Sequence, residues 1–508
     1  MTIIDKYSDK VKGILNTFDR MIIKGHLRQF FSTSGKMYFL SEEDVLLKDF
    51  GAYAEKITAK IKDNAVQMAK DASRPYIYLN SSKTSKEKTA LEALENSPVD
   101  EGLICVIATV ETCTSLDIYK NKETFKLELR NRQRKCLYLY FYYLDKEFGF
   151  MHVKLQTWFP FEIQVYINGR EHLSKQLDKA GIGYKRYDNC FTHIDDIEKA
   201  QEIANKIESK KFSTTFDVFA QRVNPMIERI TEIFGNGYFW CVDQCEYASD
   251  VMFNSRADLE KVYPDLVEHA LISFNCEDVM TFLGRKLHHS FAGEVVSDIK
   301  KRQQGVRIKH RMKSNSIKMY DKDSVLRIET TINDPHEFKI YKEVRRKGVE
   351  TMEWVNMGKS IANLYRYAQV SLSANTRYLS ALTAAEDTGE AVAEIEKVCE
   401  RITKNNRDYA GLNILSKEVT DIFAAILDGK NHINGFTNKS IRPAIFKDSD
   451  DKKTRNKVTR ILAKLRAHSI ISKIPRTFSY RVSEKGIRII YATLKMKKRE
   501  VRKFNKSA

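Results

Sequence analysis

The chain has 508 residues, 42% of them hydrophobic, with 27 Phe and 24 Tyr; these are globular values, which exclude a disordered polymer. MTIIDKYSDK opens without an apolar leader, the longest apolar run (Cys136 to Leu144) is about half of a membrane-spanning helix, and eight Cys lie at uneven spacings, so a cytoplasmic protein with free thiols and no membrane partner is predicted. The formal charge of +19 is concentrated, with 22 Lys and Arg against 5 acidic residues from Gly435 to Ala508 and 9 against 1 from Lys300 to Lys322, which predicts a polyanion as partner: DNA, or a structured RNA.

Residues 1–210 read as an α/β domain with a mixed sheet. Arg74 to Asn80 (RPYIYLN) is a strand, Ser85 to Asn96 a helix capped by Ser85, and Gly102 to Val110 (GLICVIATV) a buried β-branched strand. That order predicts a parallel crossover. KCLYLYFYYL, FMHVKLQTWF and FEIQVYING follow as strands, and REHLSKQLDKAG as a helix ending on Gly181. In KEFGFMHV, Phe148 and Phe150 partly match the aromatic strand of RNA-recognition domains, with Arg130 to Lys135 (RNRQRK) as phosphate contacts; an ordinary core hairpin explains the same pattern.

Residues 211–410 read as a largely helical α+β domain around a central hairpin. Before it, WCVDQCEYASDVMF places Asp243, Glu246 and Asp250 at i, i+3 and i+7, one stripe if helical, and a solvated or salt-bridged stripe is the favoured reading. Cys241 and Cys245 lack a second Cys or His pair, so no zinc site is predicted. MGKS at Met357 has Glu353 where a phosphate-binding loop needs its first Gly, which excludes an NTPase of that type.

The hairpin itself, SIKMYDKDSVLRIETTIND (Ser316 to Asp334), turns at Lys322, Asp323 and Ser324. Asp321 ends its first strand and Glu329 sits inside its second; paired across the turn they are the predicted holders of a Mg²⁺ ion, with Asp334 a third oxygen ligand. Lys309, Arg311 and Lys318 form a basic approach for a phosphate backbone. The alternative is a salt-bridged hairpin, with Asp321 on Lys322 or Arg327 and Glu329 on Lys318.

Residues 411–500 give the pattern helix, short helix, helix, then strand–turn–strand, followed by a helix behind Ser483. On Lys452 to Ser469, Val458, Ile461, Leu462 and Leu465 share one face, while Arg455, Lys457, Arg460 and Lys464 crowd the other. Arg476 and Arg481 lie on the terminal hairpin, and residues 501–508 form a basic tail. This order resembles the winged-helix domain, which implies a recognition helix with those four cations at the DNA groove and the two arginines of the wing at an adjacent backbone.

KMYDK followed by LRIET is similar to a passage in rolling-circle replication initiators of plasmids and phages. The resemblance implies roles at a metal and DNA site for Tyr320, Asp321, Lys322, Arg327 and Glu329. The His-hydrophobic-His of those enzymes has only His152 here, with Lys154 in the second place, and their nucleophilic tyrosine has no clear counterpart among Tyr365, Tyr367 and Tyr378. NTFDRMIIKGHLR, QTWFPFEIQVYINGREHL and EYASDVMF, with the hairpin, resemble a widespread group of multicopy bacterial proteins, which implies a mobile-element context. Two functions follow as expectations. One is metal-dependent phosphodiester cleavage or strand transfer, with Asp321, Glu329 and Tyr320 catalytic; the other is a non-catalytic winged-helix regulator or the protein part of a ribonucleoprotein.

Overall fold

The computed structural model of the chain describes residues 2–81, 83–209, 212–272, 274, 276–285, 295–302, 305–346, 349–383, 397–404, 406–413, 416–427, 435–446, 452–490 and 493–494. The segment 385–402 (AEDTGEAVAEIEKVCERI), whose charge pattern predicts a solvated acidic helix, lies largely outside them, and the expected basic tail at 501–508 wholly so.

Thirteen strands are needed to place the site: β1 (Val11–His26), β2 (Tyr76–Leu79), β3 (Gly102–Lys120), β4 (Leu127–Asp145), β5 (Gly149–Gln156), β6 (Ile163–Asn168), β7 (Tyr184–Tyr187), β8 (Cys190–Ile194), β9 (Phe239–Phe253), β10 (Val295–Arg302), β11 (Gly305–Met312), β12 (Asn315–Lys322) and β13 (Val325–Ile332). Among the described residues, eleven of them form one mixed sheet in the order β10-β11-β12-β13-β9-β1-β6-β5-β4-β3-β2. Only β2 and β3 pair in parallel, across the Ser85-capped helix Lys86–Asn96. That is the crossover expected from the sequence, made because a parallel pair needs a covering helix to return the chain. The helix Gly169–Ala180 ends on Gly181 in the left-handed region, as its sequence predicts.

The sheet corrects the expected division at residues 210 and 211. β9 lies between β1 and β13, so the hairpin β12–β13 is a continuation of the N-terminal sheet and not the centre of a separate helical unit. The segment read as a helical carboxylate stripe is the strand β9.

One sheet face carries the main core, where Phe18, Met21, Tyr247, Met319 and Ile328 are buried beneath helices that include Leu364–Thr383. Asn375 of that helix bonds Thr330 at 2.7 Å and Ser249 at 3.2 Å, which fixes it against β13 and β9. The opposite face has its own smaller core at one end, where the helices Gly169–Ala180 and Ile197–Asn205 and the β7–β8 hairpin cover Leu15, Met252 and Val325.

Residues from Val398 to Ile490 build a further hydrophobic cluster. Its elements are the helices Lys417–Leu427, Asn438–Ile445 and Lys452–Ala467, then the antiparallel pair Ile471–Lys473 with Tyr480–Val482. Val458, Leu462 and Leu465 are buried and Arg455, Lys457 and Arg460 exposed, so the amphipathic reading of the third helix is what the packing uses.

Candidate carboxylate centre on the sheet

Period-2 alternation sorts the hairpin. Lys318 stands opposite Glu329 and Tyr320 opposite Arg327, all four on the face away from the main core. Asp321 stands opposite Leu326 and shares its face with the buried Met319 and Ile317. Asp321 and Glu329 therefore project to opposite sides of the sheet and cannot share an ion, which corrects the expected pairing. Asp321 instead faces Tyr263 of the helix Arg256–Ile272, and burial raises its carboxyl above the usual range. Asp334 caps the short turn Pro335–Glu337 and pairs with the His336 ring at 3.0 Å, so it is no partner of Glu329 either.

The carboxylates that do meet Glu329 are Asp19 and Glu246. One oxygen of each lies within 4.8 Å of the others, and all three residues are buried. They arrive from three strands. Glu246 and Asp250 lie on the same face of β9, with the small Ala248 between them opposite Glu329. Asp19 is delivered by a bulge: Phe18 pairs with Tyr247 and Met21 with Cys245, which leaves Asp19 and Arg20 together opposite Glu246. An extra residue in one strand re-aims its side chain. Gly169 makes this possible from the neighbouring helix, since a Cβ there would come within 2.5 Å of the Phe18 carbonyl oxygen.

Cations hold the cluster. Lys318 Nζ donates to Glu329 and, at 3.2 Å, to Glu246. Arg20 Nε stands 3.1 Å from the other Glu246 oxygen. Tyr320 Oη donates to Glu329. Behind them Arg327 donates to Asp19 at 3.0 Å and to Asp250 at 2.7 Å, and Arg170 donates to Asp250 at 2.6 Å. Both arginines are fully buried, so their partners are obligatory and Asp19 is rigidly placed. Asn189 of the β7–β8 turn donates to the second Asp19 oxygen.

The two glutamates titrate in opposite directions. Burial and the adjacent Glu329 charge push the Glu246 carboxyl up. Burial acts on Glu329 too, but the Lys318 ammonium and the hydrogen bonds from Lys318 and Tyr320 outweigh it and hold its carboxyl well below the usual range. Burial and Glu329 together push the Tyr320 phenol well up. Three hard oxygen donors on a rigid sheet fit Mg²⁺ or Mn²⁺, and Lys318 already holds a cationic group between two of them.

Glu329, Tyr320 and Lys318 come together, and the Lys318–Glu329 ion pair of the alternative reading exists. Lys309 stands opposite Lys318, so it and Arg311 project from β11 on the same face as the centre. The alternative's pairing of Asp321 with Lys322 or Arg327 does not form: Lys322 pairs with Asp188, and Arg327 with Asp19 and Asp250. Asp243 pairs with Lys24 at 3.4 Å, away from the three carboxylates. Tyr367 and Tyr378 are buried core residues on the helix Leu364–Thr383, which packs on the other sheet face. Phe148 is also buried, against Phe212 and Phe216, and is closed to base stacking.

Asp19 was missed. Its signal is an Asp-Arg pair inside the otherwise apolar run FDRMII, where charge in a buried strand needs a reason. In the C-terminal cluster Arg476 is exposed at the tip of the terminal hairpin, whereas Arg481 is half-buried and bonds Ser472 at 3.1 Å. Among the described residues no helix is long and apolar enough to cross a membrane. No family model, curated protein or solved structure matches the chain.

Proposed function

We propose that the protein binds nucleic acid and cleaves or transfers phosphodiester bonds with a divalent ion, as part of a mobile genetic element. The observation that carries this reading is the convergence of Asp19, Glu246 and Glu329 from three strands into one buried centre. An acidic cluster with no ligand to hold is costly, because like charges in low dielectric repel and each carboxylate loses hydration. A bound Mg²⁺ or Mn²⁺ would supply Lewis acidity toward a phosphoryl oxygen.

The chain's own groups have distinct tasks in this reading. Arg327 and Arg170, through Asp250 and Asp19, keep the carboxylates in register. Lys318, Lys309 and Arg311 line the approach from β11 and β12 and attract the phosphate backbone. In this reading Tyr320 is the nucleophile: its oxygen bonds to phosphorus as the bond from phosphorus to the leaving sugar oxygen breaks, and the phenol proton passes by way of Glu329, which the hydroxyl touches, to that leaving oxygen. The C-terminal cluster acts as a winged helix. Its third helix offers Arg455, Lys457, Arg460 and Lys464 to the groove, and its wing offers Arg476, with Arg481 bracing the wing through Ser472.

The test is cleavage of supercoiled and single-stranded DNA, and of RNA, with Mg²⁺ or Mn²⁺, by wild type and Glu329→Gln. Metal-dependent cleavage lost in the variant while binding persists is the expected result. Equal activity of both proteins overturns the assignment. A second reading, a non-catalytic regulator or ribonucleoprotein component, is favoured by one feature: the centre's charges are balanced internally by Lys318, Arg20, Arg327 and Arg170. Co-purification of a discrete RNA with no cleavage under any metal would select it.

A further inference from the structure

A cleft of about 700 Å³ opens on the same sheet face, beyond the carboxylate centre along β1. Lys24 and His26 of β1, Gln164 of β6 and Lys154 and Gln156 of β5 form its floor. Lys36, from the helix Thr33–Glu42, and Asn131 and Gln133 of β4 form one wall, and Phe31 stands at the rim. Asp19 to Lys24 is five steps of strand, roughly 16 Å at ~3.3 Å per residue.

The lining has an unusual chemistry. Lys36 is only 6% exposed, yet among the described residues its ammonium donates only to the Asn131 amide oxygen, at 3.2 Å. Lys154, Lys24 and His26 each have a carboxylate, at 2.8, 3.4 and 3.3 Å. A buried ammonium without an anion is unfavourable, and burial pulls the Lys36 pKa down. The amides around it retain spare capacity. Gln133 donates to Thr114 at 2.7 Å and keeps its carbonyl oxygen, and Asn131 keeps its NH₂ group. Phe31 is 65% exposed, with His26 tilted against it at 5.8 Å.

Resting on the reading of the carboxylate centre as a phosphodiester-cleaving site, we propose that this cleft receives one unpaired nucleotide of a single-stranded nucleic acid whose scissile phosphate lies at that centre. Lys36 meets a phosphate oxygen, the Asn131 and Gln133 amides meet the edge of the base, and Phe31 covers its face. The volume falls within the range of small-ligand pockets and accommodates a nucleotide. The separation corresponds to roughly four or five nucleotides of a stacked strand at ~3.4 Å each, and fewer if the strand is extended. A duplex cannot present a base there without first being opened, so the cleft selects unpaired substrate.

The experiment uses the full chain and short single-stranded oligonucleotides, one DNA set and one RNA set, each with 2-aminopurine at a different position. Wild type is expected to change the fluorescence strongly at one position, and the set that responds identifies the polymer. Phe31→Ala should abolish that position-specific change and weaken binding by about 10-fold, the scale of one lost base stack. Lys36→Met should weaken binding by a similar factor, and Phe31→Ala, at an exposed position, keeps the test valid if Lys36→Met does not fold. Glu329→Gln should leave the fluorescence pattern intact. A uniform response in both sets, or variants that bind as wild type does, overturns the proposal. A position-specific response in a protein that cleaves nothing would sink the cleavage reading and leave the nucleotide cleft standing.

Discussion

The carboxylate centre and the helix Lys452–Ala467 are both dense in charge, yet they are built by opposite rules. In the centre the carboxylates and both arginines behind them are buried, and each is answered: Lys318 lies between Glu246 and Glu329, and Arg327 and Arg170 on Asp250 and Asp19. On the helix, Arg455, Lys457 and Arg460 are exposed. Buried charge survives only in fixed geometry with a partner, so the centre is a device of long-range structure. Exposed charge is hydrated and tolerates almost any geometry, so the helix face follows from local periodicity alone. The lesson is that substitutions in the two regions should fail differently, one through chemistry and stability, the other through salt-dependent affinity.

The largest effect should come from the centre's ligands. If they stabilise transition-state charge through a metal by several kcal/mol, Asp19→Asn or Glu329→Gln should slow cleavage by about 10²–10⁴-fold, with binding nearly unchanged; a single-turnover assay reads this. Next comes stability. Arg327→Met strands the Asp19 and Asp250 charges and should cost about 3–5 kcal/mol, seen as a lowered urea midpoint, whereas Arg460→Ala should stay within about 0.5 kcal/mol of wild type. If Arg327→Met proves neutral, the contrast between the regions is wrong.

Titration sharpens the same contrast. Glu246 is raised in the fold, so its proton contributes stability below the ordinary carboxylate range that is lost as pH rises through its elevated value. Glu329 is lowered, so its contribution is present above the ordinary range and is lost on acidification. Mg²⁺ affinity should therefore climb with pH through the Glu246 transition, and Glu246→Gln should remove both that climb and the accompanying stability loss; calorimetric titration across pH checks it. For the C-terminal helix, Arg460→Ala should reduce the slope of log affinity against log salt by about 0.9 on duplex DNA if that cation contacts one phosphate, independently of sequence. The smallest effect is expected at Asp321→Asn, which should leave cleavage essentially at the wild-type rate because its carboxylate faces the other side of the sheet.

Local chemistry made much of the fold legible. The β12–β13 hairpin follows from alternation around Asp323, which adopts the left-handed conformation its turn needs. The strand–helix–strand crossover and the Gly181 stop follow from patterns a few residues long. So does the Lys318–Glu329 pair, because a tight turn fixes which residues face each other. The same counting places Asp321 on the opposite face, where it cannot share an ion with Glu329.

The centre itself was decided by tertiary structure. Glu246 and Asp250 are four apart, a spacing that one helix face and one strand face both satisfy, so sequence could not choose between a solvated stripe and a buried one. Pairing with β1 and β13 chose the strand. Asp19 reaches Glu246 only because β1 carries an extra residue at that point, and a bulge leaves no local mark beyond an Asp-Arg pair among apolar neighbours. The sequence by itself determined which segments alternate and which spiral, since backbone sterics and side-chain periodicity act over a few residues. Which carboxylates share one buried space was decided by sheet order and register, because strand pairing joins residues that no local spacing relates.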